Sequence, residues 1–396
     1  MTHLKKTLLA CAAVSTLSAP GLALAQSSVT LFGVLDLAYE NVKTNAGRVS
    51  GVSPSGNSAS RLGFRGVEDL GGGLSAGFWL EGAINPASGI GSSGTTTNNQ
   101  KSDIAAGGLT FNRRATVSLA GAFGELRIGR DTTPSWQNYL NADPFAAAGV
   151  GTLILDYTGS AATNTFVRAS NSVGYFLPGN LGGLYGQAMV AFGNQPSNAT
   201  INNIDTSSNG RYAGARLGYR QGPLDVAAAY TRTTFAGLTQ SLGNNGLAGP
   251  GTSGAAAPLA GDMADTSVYG AYDFGPAKVM GIVAQQKLSN VATLGNDLST
   301  KGWSLGLNAP VGAFNVLASL GQVKLGSAKA QKLVLGGVYN LSKRTAAYAT
   351  VARVSNSGGA SMAASSYGSG ALGPVSGTSN VNGNSTGLDI GLRVSF

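Results

Sequence analysis

The stretch GLDIGLRVSF, residues 387–396, sets Leu388, Ile390, Leu392, Val394 and Phe396 on one side of a period-two pattern. Gly387, Asp389, Gly391, Arg393 and Ser395 fall on the other side. One face is wholly apolar, the other small or polar. Such a strand fits the edge of a soluble sheet, or one stave of a membrane barrel that is apolar towards lipid and wet towards a lumen. The rest of the chain decides between the two.

Working outward from residue 387, similar alternation recurs at 29–41, 61–67, 74–84, 109–120, 124–130, 171–177, 184–192 and 211–220. It continues at 224–232, 266–274, 278–287, 301–308, 313–323, 331–340 and 344–354. With the terminal segment this predicts about sixteen strands, an even number within the range of single-chain outer-membrane barrels. The gaps alternate in length. Long ones cover 42–60, 85–108, 132–170, 193–210, 235–265, 288–300, 324–330 and 355–386, and short ones cover 68–73, 121–123, 178–183, 221–223, 275–277, 309–312 and 341–343. An up-and-down barrel with short periplasmic turns and long external loops has this asymmetry, and a soluble sandwich gives no reason for it. Ten residues at ~3.3 Å each, tilted ~45°, rise about 23 Å, the height of the apolar band of such barrels.

Energetics sets the facing. An Arg towards lipid at the midplane costs ~2–4 kcal/mol, so the alternation assigns Arg61, Arg65, Arg114, Arg127, Arg216 and Arg393 to the lumen. Tyr39, Tyr219, Tyr230, Tyr339 and Phe396 lie near strand ends, where interfacial aromatic girdles are expected. The Gly/Ser/Thr/Asn-rich pieces 92–99, 243–260 and 355–384 read as external loops, not as linkers between domains.

Composition agrees. Of 396 residues 60 are Gly, about twice the usual share, and charged residues make up only 11%. The mean hydropathy of +0.09 and the lack of any apolar run near 20 residues after Gln26 exclude a helical bundle spanning the membrane. Residues 1–25 read as a cleaved secretory signal: Lys5 and Lys6, an apolar core over 7–17, Pro20-Gly21, then Ala23-Leu24-Ala25 ahead of a cut between Ala25 and Gln26. The mature unit is then one domain, 26–396. Removing two lysines takes the formal charge from +9 to +7, and no basic run or basic helix points to nucleic acid. The cut also removes Cys11 and His3, the only cysteine and histidine. That excludes Ser-His-Asp and Cys-His catalysis and any His- or Cys-ligated metal, so neither a cofactor, a metal nor an enzymatic step is expected. Gly71-Gly72-Gly73 reads as a turn between strands, since no strand–GxGxxG–helix context surrounds it.

Several spaced blocks carry a family resemblance: Ser27–Gly33 (SSVTLFG), residues 60–74 (SRLGFRGVEDLGGGL), Arg113-Arg114 through Phe123-Gly124, Ile128-Gly129-Arg130, and the terminal Phe396. In this order they resemble the trimeric general porins of Gram-negative bacteria over essentially the whole mature chain. The resemblance implies an all-β, 16-stranded antiparallel transmembrane barrel in the outer membrane, with the third long loop, 132–170, folded inward. It implies a water-filled channel for passive diffusion of small hydrophilic solutes, a homotrimer, contact with outer-membrane lipid and lipopolysaccharide, and Phe396 as part of the signal read by the barrel-assembly machinery. It also implies a constriction in which loop acids, here Asp143 and Asp156, face a ladder of wall arginines. By position Arg61, Arg114 and Arg168 match that ladder, with Arg65, Arg127 and Arg130 near it. Two acids against five or six arginines predict a net basic eyelet and weak anion selectivity. A substrate-specific channel on the same fold is the alternative. A surface adhesin leaves the one-sided charges unexplained, and a barrel hydrolase lacks a nucleophile–base pair.

Overall fold

The computed structural model describes residues 28–91, 98, 108–155, 165–201, 204–238, 259–290, 297–364 and 380–396. Sixteen long antiparallel strands among them close into one barrel. They are β1 (Ser28–Thr44), β2 (Arg61–Gly71), β3 (Leu74–Asn85), β4 (Arg114–Gly121), β5 (Gly124–Thr132), β6 (Arg168–Phe176), β7 (Leu184–Ala191) and β8 (Tyr212–Gln221). The second half comprises β9 (Leu224–Leu238), β10 (Leu259–Asp273), β11 (Lys278–Ser289), β12 (Leu298–Val311), β13 (Phe314–Leu325), β14 (Ala328–Asn340), β15 (Thr345–Ser357) and β16 (Asn384–Ser395).

The seam explains the closure. β1 pairs with β16 from Val34↔Ser395 to Thr44↔Ser385, and with β2 from Ser28↔Val67 to Val34↔Arg61. The rest of that second edge is taken by a short strand, Gly47–Pro54, from Leu37↔Pro54 to Thr44↔Gly47. The chain returns from this hairpin to β2 through a turn built on Asp36, whose carboxylate accepts from the backbone N–H of Gly56, Asn57 and Ser58 at 3.1, 3.1 and 2.7 Å. From Gly33 to Thr44 β1 thus has neighbours on both sides, so the seam is not left open to hydrocarbon, where an unpaired backbone group costs several kcal/mol. At the end of β16, Phe396 N–H donates to Gly33 O and Gly33 N–H donates to Phe396 O, at 3.1 and 3.0 Å.

Facing follows the alternation. On β4, Val117 is 59% exposed and Thr116 only 5%. On β1, Leu31, Leu35 and Tyr39 point outward, whereas Asp36 and Glu40 are buried inside. Aromatic pairs Tyr272–Phe274 and Phe314–Tyr339 mark the short-turn rim, with ring centroids 4.7 and 4.6 Å apart.

Two expectations about the loops change. The gap 42–60 contains the paired strand just described, because a polar chain beside the exposed upper edge of β1 satisfies that edge better than water-facing coil does. The gap 324–330 is no long loop: β13 and β14 pair as far as Leu325↔Ala328, and Gly326 at φ +58 makes the tight turn. Its Lys/Ser/Ala composition gives no turn signal other than that one glycine.

Placing a guanidinium on the lipid side tests the facing. Val351, outward at the middle of β15, is 48% exposed. Val351→Arg is expected to lower unfolding stability in lipid by ~2–4 kcal/mol, measured by reversible denaturant titration, whereas Thr350→Ser on the lumen face changes it little.

Candidate pore constriction

The segment after β5 turns into the barrel. Thr133 Oγ1 donates to Phe166 O at 2.6 Å, tying the two legs of the inward loop together at its base. Helix α1 (Pro134–Ala142) starts at once, with Pro134 supplying a fixed φ where no backbone donor is needed. Trp136, Tyr139 and Phe166 form an aromatic knot with centroids 5.1–5.9 Å apart. Polar side chains then fasten α1 to the wall. Tyr139 OH donates to Asp265 at 2.6 Å, Gln286 donates to Tyr139 OH at 3.1 Å, Asn138 donates to Ser267 Oγ at 3.1 Å, and Arg216 donates to Asn138 at 2.7 Å. These partners place the helix on the inner face of β8, β10 and β11.

Beyond α1 the loop runs over β12–β16. Asp143 accepts from the backbone N–H of Phe145, Ala147 and Leu153 at 2.8, 2.9 and 3.2 Å, shaping the bend. Burial pushes its carboxyl up to about 6, despite those bonds. Val150 N–H donates to Asp389 at 2.8 Å, and Lys332 Nζ donates to Thr152 O at 2.7 Å. The wall here is made of small residues: a Cβ at Gly302 would lie 2.2 Å from Leu155, and one at Gly336 2.7 Å from Phe145. The described part of the loop therefore seats deeply on one wall, and among the described residues its packing lies there and not on the opposite wall.

That other wall, β2–β5, carries the arginines. Arg61, Arg65, Arg114 and Arg127 lie on the inward face, with Arg113 reaching in beside them. Arg113 donates to Glu81, and Arg61 lies 3.9 Å from the same carboxylate. Arg127 binds both oxygens of Glu125 at 2.8 Å and Asp131 at 3.1 Å, and Arg114 lies 3.7 Å from Asp131. Arg65 and Arg114 pack on the Trp79 ring at 5.1 and 4.6 Å. Four guanidinium groups thus share three carboxylates and Arg65 stands beside them on the Trp79 ring, an excess of two positive charges. Two of the three acids, Glu81 and Asp131, lie lower than the cations, whereas Glu125 at 27% exposure is held by Arg127. The side chains of Glu81 and Asp131 are 12% and 6% exposed, those of Arg61 and Arg113 28% and 21%, and Arg65 is exposed. Further carboxylates, Asp36, Glu40 and Asp389, are fully buried in the wall of β1 and β16.

Of the residues expected in the ladder, Arg61, Arg65, Arg114 and Arg127 come together on this wall. Arg130 does not. It shares the parity of Leu126 and Ile128, pairs with Ala115, and donates to Asn112 O and Ser170 Oγ at 2.6 and 2.8 Å on the outer side of the wall. Arg168 is also turned away. Strict alternation from Val173 would send it inward, but the ladder slips between Gly129 and Asp131, with Asn171 at φ +54 on the partner strand. That bulge points Ala169 inward, into a cluster with Met189, Ala191 and Tyr212, and Arg168 to the opposite face. Asp143 faces its own backbone, not the arginines. Asp156, Ala25 and Gln26 lie outside the described residues. Arg113, Glu81, Asp131 and Trp79 were not expected at the constriction, although alternation puts Trp79 on the same face of its strand as Glu81. Among the described residues, no three His, Cys, Asp or Glu side chains converge as a metal site would require.

Comparison with known proteins matches this architecture. A family model described as Gram-negative porin matches residues 9–359. The chain is 37% identical to outer membrane porin protein 32 of Delftia acidovorans over 407 residues, covering 99% of this chain and 100% of that one. It is 32% identical to an outer membrane porin protein of Bordetella pertussis over 378 residues, covering 87% and 93%. A solved structure described as an anion-selective porin from Comamonas acidovorans superposes with a TM-score of 0.74 at 34% identity, covering 94% and 100% of the two chains. OmpT of Vibrio cholerae, at 15% identity and TM-score 0.63, shares the fold.

The role of Asp143 can be separated from that of an eyelet acid. Asp143→Asn removes a charge but loses acceptor capacity for three backbone donors. Open-channel noise in planar bilayers is expected to rise as the loop loosens, with the reversal potential unchanged. A clear shift of reversal potential would place Asp143 in the ion path.

Proposed function

The chain belongs to the Gram-negative porin family, and on that premise we propose that it forms a water-filled outer-membrane channel, weakly selective for anions, through which small hydrophilic solutes diffuse passively. The observation that carries the selectivity is the excess of guanidinium over carboxylate on the wall of β2–β5. Fixed charges of one sign along a narrow lumen raise the local concentration of counter-ions and orient polar solutes in transit. The description of the solved relative as anion-selective supports the same sign. Transport needs no nucleotide, cofactor or chemical step.

The remaining parts of the reading come from the family. The segment 1–25 is removed between Ala25 and Gln26 during export, three copies associate, and outer-membrane lipid with lipopolysaccharide surrounds the trimer. Phe396 serves as part of the signal for the barrel-assembly machinery.

Arg61→Gln combined with Arg114→Gln removes two of the five positive charges and so cancels the excess. The reversal potential across a salt gradient is expected to move towards cations, with the anion-to-cation permeability ratio approaching unity. An unchanged ratio would remove these residues from the selectivity filter. Deleting Phe396 should lower the amount of assembled protein in the membrane without altering the unit conductance of what does assemble, and normal membrane levels would count against the signal role.

A further inference from the structure

Two pentapeptides of the chain are nearly identical: Arg61-Leu-Gly-Phe-Arg65 on β2 and Arg216-Leu-Gly-Tyr-Arg220 on β8. In a strand the first, third and fifth residues share a face. In both copies that face is the lumen, and Leu217 and Tyr219 of the second copy are exposed towards lipid. Each glycine has an aromatic residue of the preceding wall strand directly opposite it, in the pairs Phe32↔Gly63 and Tyr185↔Gly218. A Cβ at either glycine would collide with that ring. The ring therefore lies across bare backbone, with an arginine before and after it along the strand. Arg65 stands over Phe32 at 5.5 Å, and Arg216 and Arg220 stand over Tyr185 at 4.8 and 5.3 Å.

The charges repeat as well. One arginine of each copy meets a carboxylate: Arg61 lies 3.9 Å from Glu81, and Arg220 donates to Asp225 at 2.7 Å. The other, Arg65 or Arg216, forms no ion pair among the described residues. Arg216 donates to neutral acceptors, Asn138 at 2.7 Å and the Tyr185 hydroxyl at 3.1 Å. Tyr185 OH in turn donates to Asp225 at 2.6 Å, which fixes the far edge of its ring.

The copies differ in height and in what covers the ring. Arg65 is six residues from Gly71 at the end of its strand, whereas Arg220 is one residue from Gln221 at the end of its own. Five tilted residues rise about 12 Å, so the second copy lies that much nearer the short-turn mouth. In the first copy Trp79 packs edge-on against Phe32, centroids 5.0 Å apart, and Arg65 touches both rings. Among the described residues no second ring packs on Tyr185, and the Arg220 side chain beside it is 61% exposed. The place that Trp79 takes in the first copy is left to the lumen in the second.

We propose that the second copy is a binding station for small aromatic carboxylates at the short-turn mouth. The solute's ring packs on Tyr185 as Trp79 packs on Phe32, and its carboxylate meets Arg216 and Arg220. Charge alone would draw any anion, but the ring contact adds a preference for a flat one, and a guanidinium matches the two oxygens of a carboxylate. The proposal rests on the channel reading above and deepens it by naming a class of solute.

The test is planar-bilayer recording, with dissociation constants read from the excess current noise of single channels. The solutes are benzoate, cyclohexanecarboxylate, which has the charge without the flat ring, and benzyl alcohol, which has the ring without the charge. The proteins are wild type, Tyr185→Leu, Tyr185→Phe and Trp79→Leu. Wild type is expected to bind benzoate roughly three- to tenfold more tightly than cyclohexanecarboxylate, with no saturable signal from benzyl alcohol. Tyr185→Leu abolishes that preference, whereas Tyr185→Phe, which keeps the ring and loses only the hydroxyl, retains it, as does Trp79→Leu. Equal binding of the two carboxylates by wild type would overturn the station, as would a benzoate preference that survives Tyr185→Leu. Loss of the preference in Trp79→Leu alone would place the ring contact at the constriction and overturn it too. Should Tyr185→Leu fail to assemble, the solute series on wild type and Trp79→Leu decides the matter. A wild-type protein without stepwise conductance would be a failure of the channel reading, and ligand-detected NMR on the detergent-solubilised protein then reads the same preference for benzoate directly.

Discussion

Hydrocarbon leaves no partner for a backbone N–H or C=O, and the pairing of β1 with β16 answers that constraint for the whole sheet. Once Val34–Thr44 is held against Ser385–Ser395, every wall strand has two neighbours and every residue a fixed side. The Gly47–Pro54 strand and the turn on Asp36 complete the seam where β2 has not yet begun. From this closure come the two environments of the wall, and from their separation comes the channel. Leucines and valines outside cost nothing in lipid, and arginines inside keep their solvation.

Within that frame the inward loop decides which charges a solute meets. Its helix buries Trp136 and Tyr139 against β8–β11, and its tip sits where glycines leave space on β12–β16. Both effects commit the described part of the loop to one side of the lumen. The carboxylates of β1 and β16 are buried, and the opposite wall shows mainly guanidinium. Trp79 helps to keep those groups apart and extended, since Arg65 and Arg114 pack on its ring while Glu81 lies below. Cation–π contact of this kind stabilises a charged side chain without neutralising it. A basic lining thus survives in the presence of nearly as many acids.

The sequence allowed the strands and much of the lining to be read, because period-two alternation and the cost of charge in lipid act residue by residue. Arg61, Arg65, Arg114 and Arg127 were placed by that rule alone. Arg130 was misplaced by following the family pattern against its own parity with Ile128. Arg168 could not be read correctly, since one left-handed Asn171 inverts the facing of everything before it in β6, and Asn in a strand is no unambiguous sign of a bulge. Asp143 misled for another reason: a loop acid in a narrow lumen suggests an eyelet, but its carboxylate bonds to the nearby backbone donors of its own bend. The seat of the loop was equally hidden. Inward glycines such as Gly302 and Gly336 acquire meaning only when the side chains that press on them are known.

On the proposed function, the arginine wall of β2–β5 sets the charge preference of the lumen. The direct measurement is the reversal potential of the wild-type channel in planar bilayers under a potassium chloride gradient, repeated from about 0.01 M to 1 M, over which the screening length falls from about 30 to 3 Å. The expected result is a preference for chloride that is largest at low salt and fades as salt rises. A preference for potassium at low salt, or a selectivity indifferent to ionic strength, would contradict it.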